Sequence, residues 1–564
     1  MLVGFTGYQA LKAKTALEAA ASDFSTLGDQ LKSGDQAGAR RTLAEAQAHA
    51  SDARSSTSGP GWWLSARLPE IGPNVRAVRT VSEVADDIAQ GVLPDVVATS
   101  HTLDPQALKP VDGRIRLEPL RRSAPAVARA ATRLRAESAR ADAIATDDLA
   151  PQIAAPVRDL QAKAGDASDL ADRASLAVRL LPPMLGGEGE RRYLFLFQNN
   201  AEIRASGGIP GSFATLTADN GRLRLGRQDD ASTLGSFKRP PTPLTAEEKE
   251  LFGDAIGTFP QDVNFTPDFP RTARLIDGMY RARGGDQLDG VVSVDPVALS
   301  HVLTGTGPVD TVGGQVLTTD NAVQLLLSSV YADIPDPAQQ NVFFNAVARD
   351  VFGAVSSGQG DPRAVLRSLA TSASERRLLV WSSHPAEQAL LHPTALAGAL
   401  ETKPSDHPSV GVYFNAARPY KLDYYLDYDT SVASTSCRGR RQALTVTVDL
   451  SSRVPKAVRS LPEYVAPRTP QYGRGEIVTT VYVYVPVGGT VRGLSVDGQE
   501  QQTSQYTLEG RTLVARTVAL KPGASSTVKV RLLGGKGQTG TPALRVTPGV
   551  RSTGVGAVQN SACS

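Results

Sequence analysis

The sequence contains little cysteine and little histidine. Its 564 residues include two cysteines, Cys437 and Cys563, and six histidines that are scattered along the chain. These are too few and too dispersed for an ordinary Cys/His zinc site. Both cysteines lie in the last quarter of the chain, which predicts a disulfide formed in an oxidising compartment. Such a bond would close a loop of about 125 residues and stabilise the fold by roughly 4–5 kcal/mol. The alternative is two unrelated buried thiols.

Other absences exclude whole classes of function. No apolar run reaches the roughly 18 residues of a transmembrane helix. The Gly-rich phosphate loops and the Gly-x-Ser-x-Gly elbow are also missing, so neither nucleotide binding nor serine hydrolysis is indicated. With 60 basic and 57 acidic residues the net charge is +3, which gives no reason to expect nucleic acid as a partner. We assign no catalytic residue.

The chain opens on an apolar segment, residues 1–8, that leads directly into a charged helical pattern. It lacks the basic start of a signal peptide. We interpret it as the outer end of a membrane helix whose first part is missing, with a frayed terminus as the alternative.

Residues 1–185 are predicted to form a helical bundle or stalk. Apolar residues alternate at spacings of four and three, which is typical of a coiled-coil seam; they are Ile153, Val157, Leu160, Ala164, Ala167, Ala171, Ala174, Val178 and Leu181. We expect Pro182 and Pro183 to end this seam. Trp62 and Trp63 are predicted to pack between helices, or alternatively to lie at a membrane interface.

The remainder of the chain is predicted to contain two further domains. Residues 190–405 mix strand and helix patterns, and the turn Asp219-Asn220-Gly221 predicts a hairpin, so we expect an α/β domain with a mixed sheet. Residues 410–564 alternate with period two, which favours an immunoglobulin-like β-sandwich. Aromatic residues crowd positions 413–428, as strand pairs at a domain junction or as a carbohydrate-stacking surface. The predicted fold class is therefore multi-domain α+β.

The candidate site follows an apolar strand, Tyr193–Phe197, where polar side chains and two glycines come together. Arg204 could bind a phosphate or carboxylate through both nitrogens, and Gly207 and Gly208 would let backbone N–H groups approach an anion. The anion-binding or ligand-binding candidates are Asn200, Glu202, Arg204, Gly207, Gly208 and Arg227. Carboxylates that could hold a hard cation are Glu202, Asp230 and Asp268.

A structural role is the alternative for the same residues. Asn199, Asn200 and Glu202 would then bond the backbone of a turn, and the glycines would serve tight turns. Arg204 would pair with Glu202 or Asp295.

The segment from Tyr193 to Phe213 resembles the signature of the bacterial domain-of-unknown-function 4012 family. Further matching segments follow in order, at 266–270, 288–296, 303–309 and 319–323. The resemblance implies a secreted or membrane-anchored cell-envelope protein of Gram-positive bacteria, often associated with surface polysaccharide. It offers no established activity. We expect this chain to be extracytoplasmic and anchored in the membrane at its N-terminus.

The order of segments is also distantly similar to that of LytR-CpsA-Psr glycopolymer transferases. Glu202 and Arg204 would occupy their Asp-x-Arg motif, and residues 288–295 their later strand. That similarity implies arginines that bind the pyrophosphate of a polyprenyl-linked glycan and carboxylates that hold a divalent metal such as Mg. In this chain Ala205-Ser-Gly-Gly208 replaces the second Arg-Ser-Asp motif, and few arginines lie nearby.

These observations lead to two hypotheses for function. The first is a non-catalytic cell-envelope protein that binds a surface polysaccharide or an envelope partner. The second is a phosphotransferase that acts on polyprenyl-pyrophosphate-linked glycan.

Overall fold

A computed structural model describes residues 2–100, 102, 105–311 and 314–563. They fall into two compact units. The helical unit comprises Met1–Pro110 and Arg114–Gly189, and the mixed unit comprises Val111–Gly113 and Glu190–Ser564.

The helical unit is built from antiparallel helices. They are α1 (Leu2–Ser33), α2 (Gln36–Ser56), α3 (Pro60–Ser65), α4 (Gly72–Gly91), α5 (Leu93–Thr99), α6 (Glu118–Asp142) and α7 (Pro151–Met184). Asp35 caps α2 by accepting a hydrogen bond from the N–H of Gly38, as its position after Gly34 favours. Alanines such as Ala20, Ala50 and Ala89 are buried where α1, α2 and α4 meet, so these helices approach closely.

Helix α7 contains the predicted seam and departs from it near its centre. Ser168, not Ala167, is buried, because a straight helix of 3.6 residues per turn drifts away from a strict heptad. Pro182 and Pro183 follow the last seam residue, Leu181, and lie in the final turn of the helix, which ends at Met184.

None of the described helices is long and apolar enough to cross a membrane. The opening segment, residues 2–8, belongs to α1, and Met1 lies outside the described residues.

The mixed unit begins with a five-stranded sheet of order β3-β2-β1-β4-β7. The first seven strands are β1 (Arg191–Arg204), β2 (Gly207–Asp219), β3 (Arg222–Asp230), β4 (Gly290–Val294), β5 (Val309–Asp310), β6 (Val316–Leu317) and β7 (Leu378–Ser382). Strands β1 and β4 are parallel and the other pairs of this sheet are antiparallel. The predicted hairpin turn joins β2 to β3, with Asn220 and Gly221 at positive φ.

Helices surround this sheet. They are α8 (Ala246–Phe252), α9 (Ala255–Thr258), α10 (Phe269–Ala282), α11 (Pro296–Thr306), α12 (Ala322–Gln324), α13 (Val330–Asp333), α14 (Pro337–Ser356), α15 (Pro362–Ser374) and α16 (Pro385–Leu391). A π-helical turn, Leu325–Ser329, joins α12 to α13.

Two further sheets pack face to face over a core of Val, Leu and Ile. Their strands are β8 (Ser409–Ala416), β9 (Leu426–Arg438), β10 (Arg441–Ser452), β11 (Ile477–Tyr484), β12 (Thr490–Val496), β13 (Gln499–Gln501), β14 (Gln505–Leu508), β15 (Arg511–Leu520), β16 (Ser525–Leu533), β17 (Ala543–Val546) and β18 (Val555–Val558). The strand orders are β13-β12-β16-β10-β9-β18 and β14-β15-β11-β8-β17. The immunoglobulin-like connectivity and the LytR-CpsA-Psr-like character of the first sheet stay predictions.

The predicted disulfide is confirmed. Cys437, near the end of β9, is bonded to Cys563, with Cα atoms 5.0 Å apart.

Strand β1 is longer than the sequence indicates and joins the two parts of the mixed unit. The apolar segment predicts a strand that stops near Gln198, but β1 continues to Arg204. The side chain of Ile203 packs in the core of the two facing sheets, and its N–H donates to Asp423 Oδ2 at 2.9 Å. The N–H of Ala205 donates to Asn415 Oδ1 at 2.9 Å. Both parts therefore share this segment as core.

Candidate functional site

Arg204 is enclosed by protein. Its side chain is 11% exposed, and its Nη2 donates to Asp262 Oδ1 at 3.1 Å. Its Nη1 donates to the carbonyl of Ile203 at 3.0 Å, and the guanidinium lies 4.7 Å from the centre of the Phe265 ring. Burial raises the pKa of the Asp262 carboxyl, and the charge of Arg204 opposes that shift. The structural alternative proposed Glu202 or Asp295 as its partner, whereas the partner found is Asp262.

A cavity of about 440 Å³ opens beside Glu202, two residues before Arg204. Most of its wall is apolar and comes from β1, β2, α11, the π-helical turn and α14. These apolar side chains include Phe197, Ile209, Leu299, Leu326, Leu327, Phe344 and Val347. Arg204 does not line it.

Glu202 reaches this cavity because β1 is irregular there. The pairing of β1 with β2 breaks between Asn199 and Ile203, and such a bulge redirects the side chains of the inserted residues. Glu202 forms an ion pair with Lys421, and the Lys421 Nζ lies 4.6 Å from the centre of the Tyr331 ring. Burial lowers the pKa of Lys421, but Tyr331 and Glu202 outweigh it, so the net shift is upward. Lys421 therefore carries its charge at the cavity wall.

The polar end of the cavity is held by its own hydrogen bonds. Asn199 Nδ2 donates to the Tyr331 hydroxyl at 2.6 Å. The Tyr464 hydroxyl donates to the Tyr331 carbonyl and accepts from Gln340 Nε2 at 3.0 Å. These groups are fixed before any ligand arrives, which reduces the entropy that binding would cost.

Asn200 does not line the cavity and lies in a buried network with Asp295, which does, and Arg377. Its Nδ2 donates to Asp295 Oδ2 at 3.0 Å, and the same oxygen accepts from Arg377 Nη1 at 2.9 Å. Asp295 also caps α11 by accepting from the N–H of Ala298.

The two glycines are required by close packing of the hairpin. Gly207 has φ +128°, a conformation that other residues rarely adopt. A Cβ at Gly208 would lie 2.2 Å from the Asn199 carbonyl oxygen. The N–H of Gly208 donates to Gln198 Oε1, so it is already used inside the protein.

Of Arg227 and the predicted metal ligands, Glu202 and Asp230 line the same cavity, and Arg227 and Asp268 do not. Arg227 is exposed on β3 and pairs with Asp229. Asp230 lines the cavity wall and caps the short turn after β3. Asp268 is buried, and its two oxygens accept from the N–H groups of Arg271 and Leu400. Over the described ranges, no three His, Cys, Asp or Glu side chains are grouped to hold a metal ion.

Residues 188–331 match the family model described as "Protein of unknown function (DUF4012)". The chain contains a DUF4012 domain. No curated protein and no solved structure matches the chain.

The DUF4012 match includes Asn199, Glu202 and Tyr331 and stops before the rest of the polar end. Lys421 and Tyr464 come from the following part of the mixed unit, and sequence reasoning missed both. The only signal for Lys421 is its place among the crowded aromatics of 413–428, and nothing in the sequence singles out Tyr464. The cavity is thus completed by residues beyond the matched segment.

Asp423 accepts a hydrogen bond from the N–H of Ile203 and should make the free energy of unfolding depend on pH. Burial raises its pKa from 3.8 to about 7, with Tyr420, Arg204 and Glu202 as the neighbouring titratable groups. The carboxyl therefore stays protonated in the folded protein at pH values where the unfolded chain has already released the proton. Its contribution to the free energy of unfolding is fully present below about pH 4 and is lost as pH rises through about 7. In Asp423→Asn this pH-dependent contribution should be absent. The free energy of unfolding of the variant should therefore rise relative to that of the wild type as pH increases. Urea unfolding of both proteins from pH 4 to 8 measures this difference. The same change of unfolding free energy with pH in both proteins would contradict the prediction.

Proposed function

We propose that this chain is an extracytoplasmic cell-envelope protein that binds a surface polysaccharide or an envelope partner, without catalysing a reaction, in the cavity that its DUF4012 domain forms together with later residues of the mixed unit. The observation that carries the proposal is an apolar cavity of about 440 Å³ whose polar end holds the Glu202–Lys421 ion pair. Its volume lies within the range of ligand pockets, and an apolar wall with a few fixed polar groups is their usual character.

The lining favours a component with both apolar and polar parts. The apolar part would lie along α11 and α14, and a polar group would face Glu202 and Lys421. A glycopolymer with an apolar anchor, or a partner that presents a hydrophobic segment, has this chemistry.

The disulfide supports the proposed compartment, because such bonds persist mainly outside the reducing cytosol. Membrane attachment through a helix preceding the sequence is proposed from the family resemblance alone.

Phosphotransfer is less well supported. It would need arginines that converge on a pyrophosphate beside the cavity. Arg204 is instead paired with Asp262, and Arg227 is paired with Asp229 on an exposed strand.

Filling the cavity should weaken the binding of an amphipathic ligand while preserving the fold. Ala348 lines the cavity on α14, so the indole of Ala348→Trp would occupy much of its volume. We expect the affinity for the amphipathic fluorophore 1-anilinonaphthalene-8-sulfonate to fall by about tenfold or more, equivalent to about 1.4 kcal/mol. Fluorescence titration measures the affinity, and circular dichroism checks the fold.

The matched control is Val342→Trp, which adds an indole to the same helix at a side chain that is 70% exposed. Its affinity should stay at the wild-type value. Equal affinities in all three proteins would contradict a binding role for the cavity.

A further inference from the structure

One end of the helical unit carries an unusual number of exposed apolar side chains. They are Tyr8, Leu11, Trp63, Leu64, Leu68 and Ile71, each between 47% and 66% exposed. Among the described side chains of this unit, one other large apolar side chain, Leu170 on α7, is as exposed. Large exposed apolar clusters mark interaction sites in soluble proteins.

The helix contacts place these residues at the same end. The pair of His49 Nδ1 and Asp23 Oδ2, 2.7 Å apart, sets the antiparallel register of α1 and α2, so the chain that leaves α2 runs toward the N-terminal end of α1. Helix α3 follows and contacts α1. The Trp62 Nε1 donates to the carbonyl of Val75 at 3.1 Å, which joins α3 to the start of α4. We call this region, residues 7–12 and 60–76, the apolar end.

The apolar end lies away from the point where the chain leaves the unit. The N–H of Ala150 donates to Asn74 Oδ1 at 2.8 Å, so α7 starts at the apolar end. It then runs for 34 residues, a length of about 50 Å at 1.5 Å per residue. Its far end leads to Gly189, the last residue of the unit.

The composition of the apolar end matches a lipid headgroup region. Trp and Tyr are enriched at membrane interfaces, where a polar ring edge meets water and the ring body meets lipid. The guanidinium of Arg67 lies 3.2 Å from the centre of the Trp63 ring, so a cation accompanies the exposed indole. Within the apolar end, three basic residues outnumber one acidic residue; they are Lys12, Arg67 and Arg76, against Glu70. This excess of positive charge complements anionic phosphates.

We propose that the apolar end of the helical unit inserts into the interface of a lipid bilayer that contains anionic lipid. Trp63 and Leu64 enter the headgroup boundary, and Arg67 and Arg76 pair with phosphates. This is attachment to a membrane surface and involves no spanning helix. It is independent of the cavity and of what the DUF4012 domain binds.

The protein carries its own reporter for this test. Of its three tryptophans, Trp62 and Trp381 are buried and Trp63 is exposed. On addition of phosphatidylcholine–phosphatidylglycerol vesicles to the full chain, we expect the Trp63 emission to shift to shorter wavelength and brominated lipids to quench it. Vesicles of phosphatidylcholine alone should bind more weakly.

The variant Trp63→Ser/Leu64→Ser should bind these vesicles at least about tenfold more weakly than the wild type, measured by co-sedimentation. The control Leu170→Ser removes an equally exposed apolar side chain away from this end and should bind like the wild type. The proposal is overturned if the wild type ignores both vesicle types, or if the control loses as much binding as the double variant. It is also overturned if the wild type dimerises in sedimentation velocity and the double variant does not, because the apolar end would then be covered by a second copy.

Discussion

Replacing Arg377 with alanine should lower the free energy of unfolding of the mixed unit by about 3–5 kcal/mol, as expected when one partner of a buried ion pair is removed. Arg377 and Asp295 are 2% and 1% exposed. Nη2 of Arg377 also donates to the carbonyl of Gly549 at 2.8 Å, and its Nε donates to Glu375 at 2.6 Å. The variant would leave Asp295 as a buried carboxylate whose main cationic partner is gone.

The matched control is Arg367→Ala. Arg367 pairs with Asp361 at 4.0 Å, and its side chain is 72% exposed, so its loss should cost less than about 1 kcal/mol. Urea unfolding of both variants at pH 7, followed by circular dichroism, gives the comparison. Equal midpoints for Arg377→Ala and the wild type would show that the pair contributes little.

The same substitution tests whether the mixed unit unfolds as one body. Arg377 lies just before β7 of the first sheet, while Gly549 lies in the connection from β17 to β18 of the second part. Ile203 fills the core of that second part although it belongs to β1. We therefore expect a single transition in which both parts shift together.

Local patterns predicted most of the elements in this fold. The apolar run at Tyr193, the alternation around Val446 and the turn at Asn220 each reflect forces between neighbouring residues in sequence. The disulfide could be predicted because only two cysteines exist to pair.

The extension of β1 could not be predicted in this way. Asn199, Asn200 and Glu202 are polar, which usually signals the end of a buried strand, but each bonds to a side chain far along the chain: Tyr331, Asp295 and Lys421. Such pairings depend on how separate elements pack, which a single sequence does not specify.

The candidate residue Glu202 lines the cavity, whereas Arg204 is paired with Asp262 and does not line it. Arg204 attracts attention because it follows a buried strand, yet its neighbour Asp262 belongs to a 3₁₀ turn that no motif marks. Lys421 occupies the cavity wall instead. A lysine offers a single ammonium group, whereas an arginine offers a planar fork.

Removing the disulfide should also destabilise the mixed unit strongly. The bond joins residues 126 apart in sequence, and the chain-entropy model gives about 5 kcal/mol for a loop of that size, less any native strain. We expect Cys437→Ser/Cys563→Ser to lose about 3–5 kcal/mol of unfolding free energy relative to the oxidised wild type.

The reduced wild type provides the internal comparison. Dithiothreitol should lower the urea midpoint of the wild type to that of the double variant and should leave the double variant unchanged, because no other cysteine exists to be reduced. A wild type whose midpoint is insensitive to reduction would contradict the predicted contribution. Strand β18, which precedes Cys563 in the sequence, pairs in parallel with β9. Once the disulfide is open, the segment from β18 to Cys563 should be the first that a protease cuts. The same cleavage should appear in the double variant without reductant.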